Sequence, residues 1–216
     1  MLYTQERQLI VDTCKYLQSI NFFIGTWGNV SLRLNNHILL TPSRIEYALM
    51  KPEDVVLINL DGSKVEGRHN PTSEKEVHRQ IYCVRDDVNA IIHVHTTYAM
   101  AVSTLSIKEV PCIVEEMSQL LGGSIPLTED YIPAAQHAEL GSNAAKCIKD
   151  RNGVLLRNHG SVCCGQNIDE AVLVAKVVEK ACEIFLSTHG SYRPIPDEYV
   201  KSEHLRYLYT YGKEDA

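Results

Sequence analysis

Two histidines, His93 and His95, lie in an apolar and partly β-branched stretch that covers residues 91–97. Such a stretch is typical of a buried strand, in which residues i and i+2 point to the same face of the sheet. Two imidazoles at this spacing can both bind one divalent cation at about 2.0–2.1 Å, which suits zinc. The alternative is one packed and one surface histidine, and a third ligand from elsewhere in the chain would favour the metal site.

A third histidine, His159, ends the apolar stretch 154–159 and is followed by Gly160. The pattern predicts a strand that carries the imidazole at its end, where the glycine leaves room beside the ring. His159 is therefore a candidate for the missing metal ligand.

A carboxylate, Glu74, follows the hydroxyl residues Thr72 and Ser73 at the start of a predicted helix over residues 73–84. Ser73 and Glu76 form a capping box, which predicts the position of the helix start. Glu74 can complement the helix dipole, or it can bind a metal or move a proton. The Thr72 and Ser73 hydroxyls can bind a phosphate oxygen at the helix start, or they can act as caps alone.

A loop that ends in Gly28 and Asn29 precedes an alternating strand over residues 29–34. Such a loop can present backbone N–H groups to an anion, and it can equally be a plain connector. An Asn-Asn pair then predicts a hairpin into a second strand over residues 38–40.

The rest of the chain must supply the elements that hold these residues together. Further helices are predicted over residues 4–20, 97–105, 134–150, 169–188 and from 197 to about 211. Further strands are predicted over residues 55–60, 110–114 and 161–164. Val77, Ile81 and Val84 are expected on the buried side of their helix, and Cys163 and Cys164 are expected to be core residues facing opposite ways. We expect one α/β domain with an antiparallel-rich sheet and helices on its faces.

The composition argues against several classes of partner. The 216 residues include 21 Lys+Arg and 27 Asp+Glu, a formal charge of −6, and no basic cluster follows a phosphate backbone, so no nucleic-acid partner is expected. No apolar run is long enough to cross a bilayer and the first residues lack a signal-peptide core, so we expect no membrane association and a cytoplasmic protein. The seven scattered cysteines fit reduced thiols.

Five short motifs occur in an order that resembles the class II aldolase/adducin superfamily, and within it the L-fuculose-1-phosphate aldolase branch. They are Gly28-Asn29-Val30-Ser31, Thr41-Pro42-Ser43, Thr72-Ser73-Glu74, His93-Val94-His95 and Asn158-His159-Gly160. Each motif is modest, but their common order is specific and covers nearly the whole chain. The resemblance implies one class II aldolase/adducin-type domain over residues 1–216, with a three-layer α/β/α fold around a central, mostly antiparallel sheet.

The resemblance also implies a role for each candidate residue. The implied metal ligands are Glu74, His93, His95 and His159. The implied phosphate-binding residues are Gly28, Asn29, Ser43, Thr72 and Ser73. Glu74 is the resting fourth ligand and the general acid/base, and Tyr211 is a second catalytic residue that reaches a neighbour's site, unless it only docks the tail. Members of the family are usually homotetramers with active sites between neighbouring subunits.

The implied activity is zinc-dependent cleavage of a (deoxy)ketose 1-phosphate, similar to L-fuculose 1-phosphate, into dihydroxyacetone phosphate and a short aldehyde such as lactaldehyde. One Zn²⁺ per subunit acts as a Lewis acid on the enediolate, and Co²⁺ or Mn²⁺ are alternatives. Alternative activities are a same-fold dehydratase of the methylthioribulose-1-phosphate type and a pentulose-phosphate 4-epimerase. A non-catalytic, adducin-like interaction module is the most remote alternative.

Two residues depart from the pattern of the fuculose-phosphate branch, and a third resembles a residue of another branch. Arg44 follows Ser43 where that branch usually has glycine, which reduces backbone freedom and adds a cation near the phosphate. The tyrosine that assists protonation in the branch falls on Glu115, and a glutamate does not simply replace a phenol. Glu116 resembles the glutamate base of the dehydratase branch, so the sequence leaves cleavage, dehydration and epimerisation open.

Overall fold

The computed structural model describes residues 1–211, and a seven-stranded sheet lies at the centre of that part of the chain. Its strands are β1 (Asn29–Leu34), β2 (His37–Leu40), β3 (Val56–Asn59), β4 (Lys64–Glu66), β5 (Ala90–Val94), β8 (Gly153–Leu156) and β9 (Gly160–Gly165). They lie side by side in the order β4-β3-β2-β1-β5-β9-β8. All neighbouring strands are antiparallel. The short strands β6 (Glu109–Val110) and β7 (Ile125–Pro126) pair with each other outside this sheet.

Helices cover both faces of the sheet. They are α1 (Thr4–Ser19), α2 (Lys75–Val84), α3 (Thr97–Ser103), α4 (His137–Ile148), α5 (Ile168–Ser187) and α6 (Asp197–Tyr209). Buried residues of α1, α3 and α5 form the core on one face, whereas those of α2 and α4 form the core on the other. The predicted three-layer α/β/α architecture with an antiparallel sheet is therefore confirmed.

The central strands are apolar on both sides because each one separates two cores. Ile91 and Ile92 of β5 are adjacent and lie in opposite cores. Cys163 and Cys164 of β9 also lie in opposite cores, and both are fully buried, as the sequence predicted. Side chains alternate between the faces of a strand, so one such strand contributes to both cores at once.

The start and the buried side of α2 differ from the prediction. The helix begins at Lys75 with Glu74 as its N-cap residue, and no side chain caps it, so the predicted capping box is wrong. Val84 is 61% exposed, although it was expected on the buried side. The reason is that His78 and Tyr82 face the sheet and rotate the buried side of the helix away from Val84.

Several predicted strands end early. The strand predicted over residues 154–159 ends at Leu156, because the chain turns back at residues 157–159, so His159 lies in that turn and not on a strand. Only Val110 remains of the predicted strand 110–114, because Pro111 has no N–H group with which to continue the ladder. The histidine strand β5 ends at Val94, so His95 lies beyond it. The sequence did not predict β4 or β7, because strands of only two or three residues are too short to show a periodic pattern of apolar residues.

Candidate active site

The three histidines and the glutamate that the sequence singles out converge beside the central strands. His93 lies in β5 and His95 directly follows that strand. His159 lies in the turn between β8 and β9, and Glu74 precedes α2. One potential ligand atom from each of the four side chains lies within 4.8 Å of all the others. The fold thus brings together residues that are distant in the sequence.

Two glycines permit this convergence, because neither position has room for a side chain. A Cβ atom at Gly160 would lie 2.5 Å from the Val94 carbonyl oxygen and 3.1 Å from the His95 ring. Gly28 has a φ of 95°, and a Cβ atom there would lie 2.3 Å from the Phe23 ring. Gly160 therefore leaves space beside the histidines, as its place after His159 suggested.

The spacing of the donor atoms fits a divalent metal ion. His93 Nε2 lies 2.9 Å from His95 Nε2 and 3.4 Å from Glu74 Oε2. His159 Nε2 lies 3.0 Å from Glu74 Oε1. A tetrahedral ion with bonds of about 2.0–2.1 Å places its ligand atoms about 3.3 Å apart. Three imidazole nitrogens and one carboxylate at these distances can hold a divalent metal.

Hydrogen bonding and burial prepare the imidazoles for a cation. His93 Nδ1–H donates to the carbonyl oxygen of Ser161 at 2.9 Å, so the lone pair of its Nε2 faces the other donors. Burial lowers the pKa of His93 to about 4, and burial together with the neighbouring rings lowers the pKa of His95 to about 3. Both rings are therefore neutral at pH 7, as metal ligands must be.

The Glu74 carboxyl group is ionised although it is only 8% exposed. Burial acts to raise its pKa, but the charge interaction with His93 and the hydrogen bonds from His159 and Asn29 outweigh it and hold the pKa far below the usual range. Asn29 Nδ2 donates to Glu74 Oε2 at 2.8 Å. A carboxylate held in this way can bind a metal or accept a proton.

A cavity of about 340 Å³ opens beside the metal-binding cluster, which consists of Glu74, His93, His95 and His159. Three of these residues, Glu74, His95 and His159, line the cavity. The lining also includes all the residues predicted to bind phosphate, which are Gly28, Asn29, Ser43, Thr72 and Ser73. Within residues 1–211, the hydroxyls of Ser43 and Ser73 have no hydrogen-bond partner. Both are free to donate to an anion in the cavity.

Arg44 lines the same cavity from a strained backbone position. Its φ of 62° lies in the left-handed region, where a residue with a Cβ is disfavoured relative to glycine. Its side chain is exposed, and among the described residues it has no hydrogen bond or ion pair. Arg44 therefore brings an uncompensated positive charge to the wall that carries the free hydroxyls.

Sequence reasoning missed three residues at this site. Trp27 and Tyr47 line the cavity, Trp27 is 65% exposed, and the Tyr47 hydroxyl donates to the Gly28 carbonyl oxygen. His78 is fully buried and hydrogen-bonds to Asn29. Only His78 had a usable signal, since it lies four positions after Glu74 and helical spacing places both on one side.

Three other residues considered above lie outside this cavity. Tyr211 is 54% exposed and stacks on Tyr207, with ring centroids 6.0 Å apart. Glu116 forms an ion pair with Lys180, and Glu115 accepts a hydrogen bond from a side chain one turn later. None of the three lines the cavity of its own chain. A role of Tyr211 in a neighbour's site stays a prediction.

Glu179 of α5 fixes the segment that directly follows His95. Its carboxylate accepts hydrogen bonds from the Thr96 hydroxyl and from the backbone N–H groups of Tyr98 and Ala99, the latter two at 2.9 Å. These N–H groups belong to the first turn of α3, where no backbone acceptor is available. Glu179 thus anchors the segment that holds His95.

We expect the variant Glu179→Ala to lose about 1–3 kcal/mol of its free energy of unfolding, because the first N–H groups of α3 lose their acceptor. Urea unfolding followed by circular dichroism measures this loss. The control is Glu183→Ala, one turn later on α5 and exposed, for which a change of at most about 0.5 kcal/mol is expected. Equal losses in the two variants would contradict the anchoring role of Glu179.

Known proteins resemble this chain over most of its length. Residues 8–186 match the family model described as Class II Aldolase and Adducin N-terminal domain. The 5-deoxy-D-ribulose 1-phosphate aldolase of Bacillus thuringiensis serovar kurstaki is 33% identical over 211 residues, covering 94% of this chain and 95% of that protein. The L-fuculose phosphate aldolase of Escherichia coli strain K12 is 33% identical over 189 residues, covering 87% of this chain and 85% of that protein.

The fold agrees with these sequence relationships. A solved structure of an L-fuculose 1-phosphate aldolase superposes with a TM-score of 0.90 at 30% sequence identity, covering 97% of this chain and 99% of that chain. The resemblance inferred from the five motifs is thereby confirmed. This chain belongs to the class II aldolase and adducin family, in the branch of the L-fuculose phosphate aldolases, and is a metal-dependent lyase.

Proposed function

We propose that this chain is a zinc-dependent aldolase that cleaves a (deoxy)ketose 1-phosphate into dihydroxyacetone phosphate and a short aldehyde such as lactaldehyde. The observation that carries the proposal is a single cavity with two kinds of lining. Residues of the metal-binding cluster lie on one part of its wall, and the hydroxyls of Ser43 and Ser73 lie on the other with the Arg44 guanidinium, none of them paired within residues 1–211. A ligand that contacts both groups needs a phosphate and, a few bonds away, oxygens at the reacting carbons. A ketose 1-phosphate has both features.

In this proposal His93, His95 and His159 hold the zinc ion, with Glu74 as the resting fourth ligand. When bound, zinc supplies Lewis acidity, which stabilises negative charge on the substrate oxygens as the carbon–carbon bond breaks. Neutral imidazole ligands leave the full charge of the dication available, and such a nitrogen-rich set suits zinc. Metal analysis of the purified protein distinguishes zinc from Co²⁺ and Mn²⁺.

Glu74 is proposed to move the proton. Cleavage breaks the C3–C4 bond, the C4 hydroxyl loses its proton as the aldehyde forms, and C3 gains a proton to give dihydroxyacetone phosphate. The ionised Glu74 carboxylate can accept and return a proton, a role that typically contributes about 10²–10⁴-fold to the rate. Asn29 restricts the orientation of the carboxylate by its hydrogen bond to Oε2.

The substrate class follows from the relatives, whose names specify 5-deoxy-D-ribulose 1-phosphate and L-fuculose phosphate. We therefore expect turnover of ketose 1-phosphates that end in a methyl group. A panel of such sugars, assayed for the release of triose phosphate, tests the proposal. Dehydration or epimerisation would preserve the carbon chain, so conversion of the panel without triose phosphate would overturn it.

Two observations argue against the dehydratase and the non-catalytic module. Glu116, which resembles the base of the dehydratase branch, forms an ion pair with Lys180 and does not line the cavity. A non-catalytic, adducin-like module has no need of metal ligands, whereas here all four donors converge. We retain aldol cleavage as the one proposed reaction.

We also propose that the single domain of residues 1–216 assembles into a cytoplasmic homotetramer, in which Tyr211 contacts a neighbour's site. The exposed position of Tyr211 away from its own cavity supports this arrangement. No helix within residues 1–211 is long and apolar enough to cross a membrane. Light scattering after size-exclusion chromatography tests the subunit number, and a monomer with full activity would contradict a shared site.

We expect the variant Arg44→Gly to raise KM for the phosphorylated substrate about tenfold or more with little change in kcat, because a charged hydrogen bond to the phosphate is lost. Its free energy of unfolding should not decrease, since glycine adopts a φ of 62° without strain. Steady-state kinetics and urea unfolding measure the two effects.

The matched control for Arg44 is Arg44→Lys, which keeps the positive charge and the strained backbone. We expect it to fall between the wild type and Arg44→Gly in KM, because a lysine cannot donate two parallel hydrogen bonds. An unchanged KM in Arg44→Gly would remove Arg44 from the phosphate site.

A further inference from the structure

A chain of buried polar side chains leads from Glu74 into the space between the sheet and α2. Asn29 and Ser31 are two positions apart on β1, so both point to the face towards α2. His78 and Tyr82 lie one turn apart on that helix. Ser31 Oγ lies 2.7 Å from His78 Nδ1 and 2.8 Å from the Tyr82 hydroxyl, and His78 Nε2 hydrogen-bonds to Asn29 Oδ1. None of these five hydrogen-bonded side chains is more than 8% exposed. Of these residues, the cavity wall includes only Asn29 and Glu74.

The direction of each hydrogen bond in this chain is determined by its neighbour. The Glu74 carboxylate can only accept, so the Asn29 amide must present its NH₂ group to Glu74 and its oxygen to His78. That oxygen can only accept, so the proton of the His78 ring lies on Nε2. Burial lowers the pKa of His78 to about 4, which leaves Nδ1 as an acceptor for the Ser31 hydroxyl. Tyr82 can then donate to Ser31.

We propose that His78 is a positioning residue, which holds the Asn29 amide in the one orientation that donates to Glu74 Oε2 and so leaves Oε1 directed at His159. If the amide turned over, its NH₂ group would face the Nε2–H of His78 and its oxygen would face the Glu74 carboxylate oxygen, so that like groups would repel at both ends. With the amide fixed, Glu74 keeps one rotamer in which Oε1 lies 3.0 Å from His159 Nε2. The catalytic importance of this orientation rests on the proposed function of Glu74.

The proposal is tested with His78→Phe, which fills the same space without a donor or acceptor, and with His78→Gln. A glutamine amide carries both a donor and an acceptor, as a neutral imidazole does. In the metal-loaded protein we expect His78→Phe to lower kcat about tenfold or more with KM within about twofold, and His78→Gln to recover part of that loss. A purely structural role would lower the free energy of unfolding but would leave kcat per folded, metal-loaded molecule unchanged.

A second measurement needs no substrate. In metal-loaded protein labelled with ¹⁵N-asparagine, the side-chain amide of Asn29 is assigned by its absence in Asn29→Ala. We expect its protons to exchange slowly with solvent in the wild type and faster in His78→Phe. If His78→Phe does not fold, Ser31→Ala and Tyr82→Phe interrupt the same chain further from Glu74, and a progressively smaller increase in exchange is expected.

The two measurements separate this inference from the proposed reaction. Unchanged exchange of the Asn29 amide in folded variants, or an unchanged kcat in His78→Phe, would overturn the positioning role of His78. The opposite result is also informative. If the Asn29 amide exchanges slowly in the wild type and faster in His78→Phe, but the protein releases no triose phosphate from any sugar of the panel, the fixed amide is supported and the aldolase proposal is refuted.

Discussion

The variant Glu74→Gln is expected to lower kcat by about 10²–10⁴-fold and to leave the metal content unchanged. Glutamine has nearly the shape of glutamate, and its carbonyl oxygen can still accept the hydrogen bond that Asn29 donates to Oε2. The three imidazoles remain to hold the metal. What the variant loses is a group that can accept a proton, so the loss should appear in the chemical step.

The measurements for Glu74→Gln are steady-state kinetics with a ketose 1-phosphate and metal analysis of the same sample. Glu76→Gln is the matched control, because Glu76 lies in the first turn of the same helix but pairs with Arg79. We expect the control to retain nearly full turnover. Full turnover in Glu74→Gln would remove Glu74 from the mechanism, and loss of the metal would assign it a ligand role that the histidines cannot replace.

The histidine pair could be predicted because its signal is local. The period of two along a strand is a property of the backbone, and the apolar run around His93 marked the strand without knowledge of the fold. The same reasoning identified Cys163 and Cys164 as neighbours in opposite cores. Even so, the strand ends before His95, since strand ends are set by pairing partners that the sequence does not specify.

The contacts that complete the site could not be predicted, because they join distant elements. The hydrogen bond from Asn29 to Glu74 links β1 to the start of α2, and its geometry depends on the sheet order. The motif order that resembles the family brought these residues to attention, but it did not reveal that the Asn29 side chain faces Glu74. The predicted capping box failed for the same reason, since Glu74 itself occupies the N-cap position beside the histidines.

The second large effect is expected from His159→Ala, which should lower the affinity for the metal by roughly 100-fold or more and reduce activity in proportion at limiting metal. Replacing even an outer partner of a metal ligand typically costs about 10–100-fold, and a direct ligand should cost at least as much. The alanine also removes the Glu74 Oε1 partner, so that two donors of the cluster are disturbed at once. Competition with a chromophoric chelator measures the affinity.

His37→Ala is the control for His159→Ala, because His37 starts β2 at the far end of the hairpin from Asn29. It should leave the metal affinity unchanged. Chelator treatment of the wild type should abolish triose-phosphate release, and one equivalent of zinc should restore it, whereas His159→Ala should recover only with a large excess. If His159→Ala bound zinc as tightly as the wild type, the three-histidine site would be refuted. No other histidine is placed to replace His159, because it lies on a turn of its own and His95 is the only other described histidine that lines the cavity.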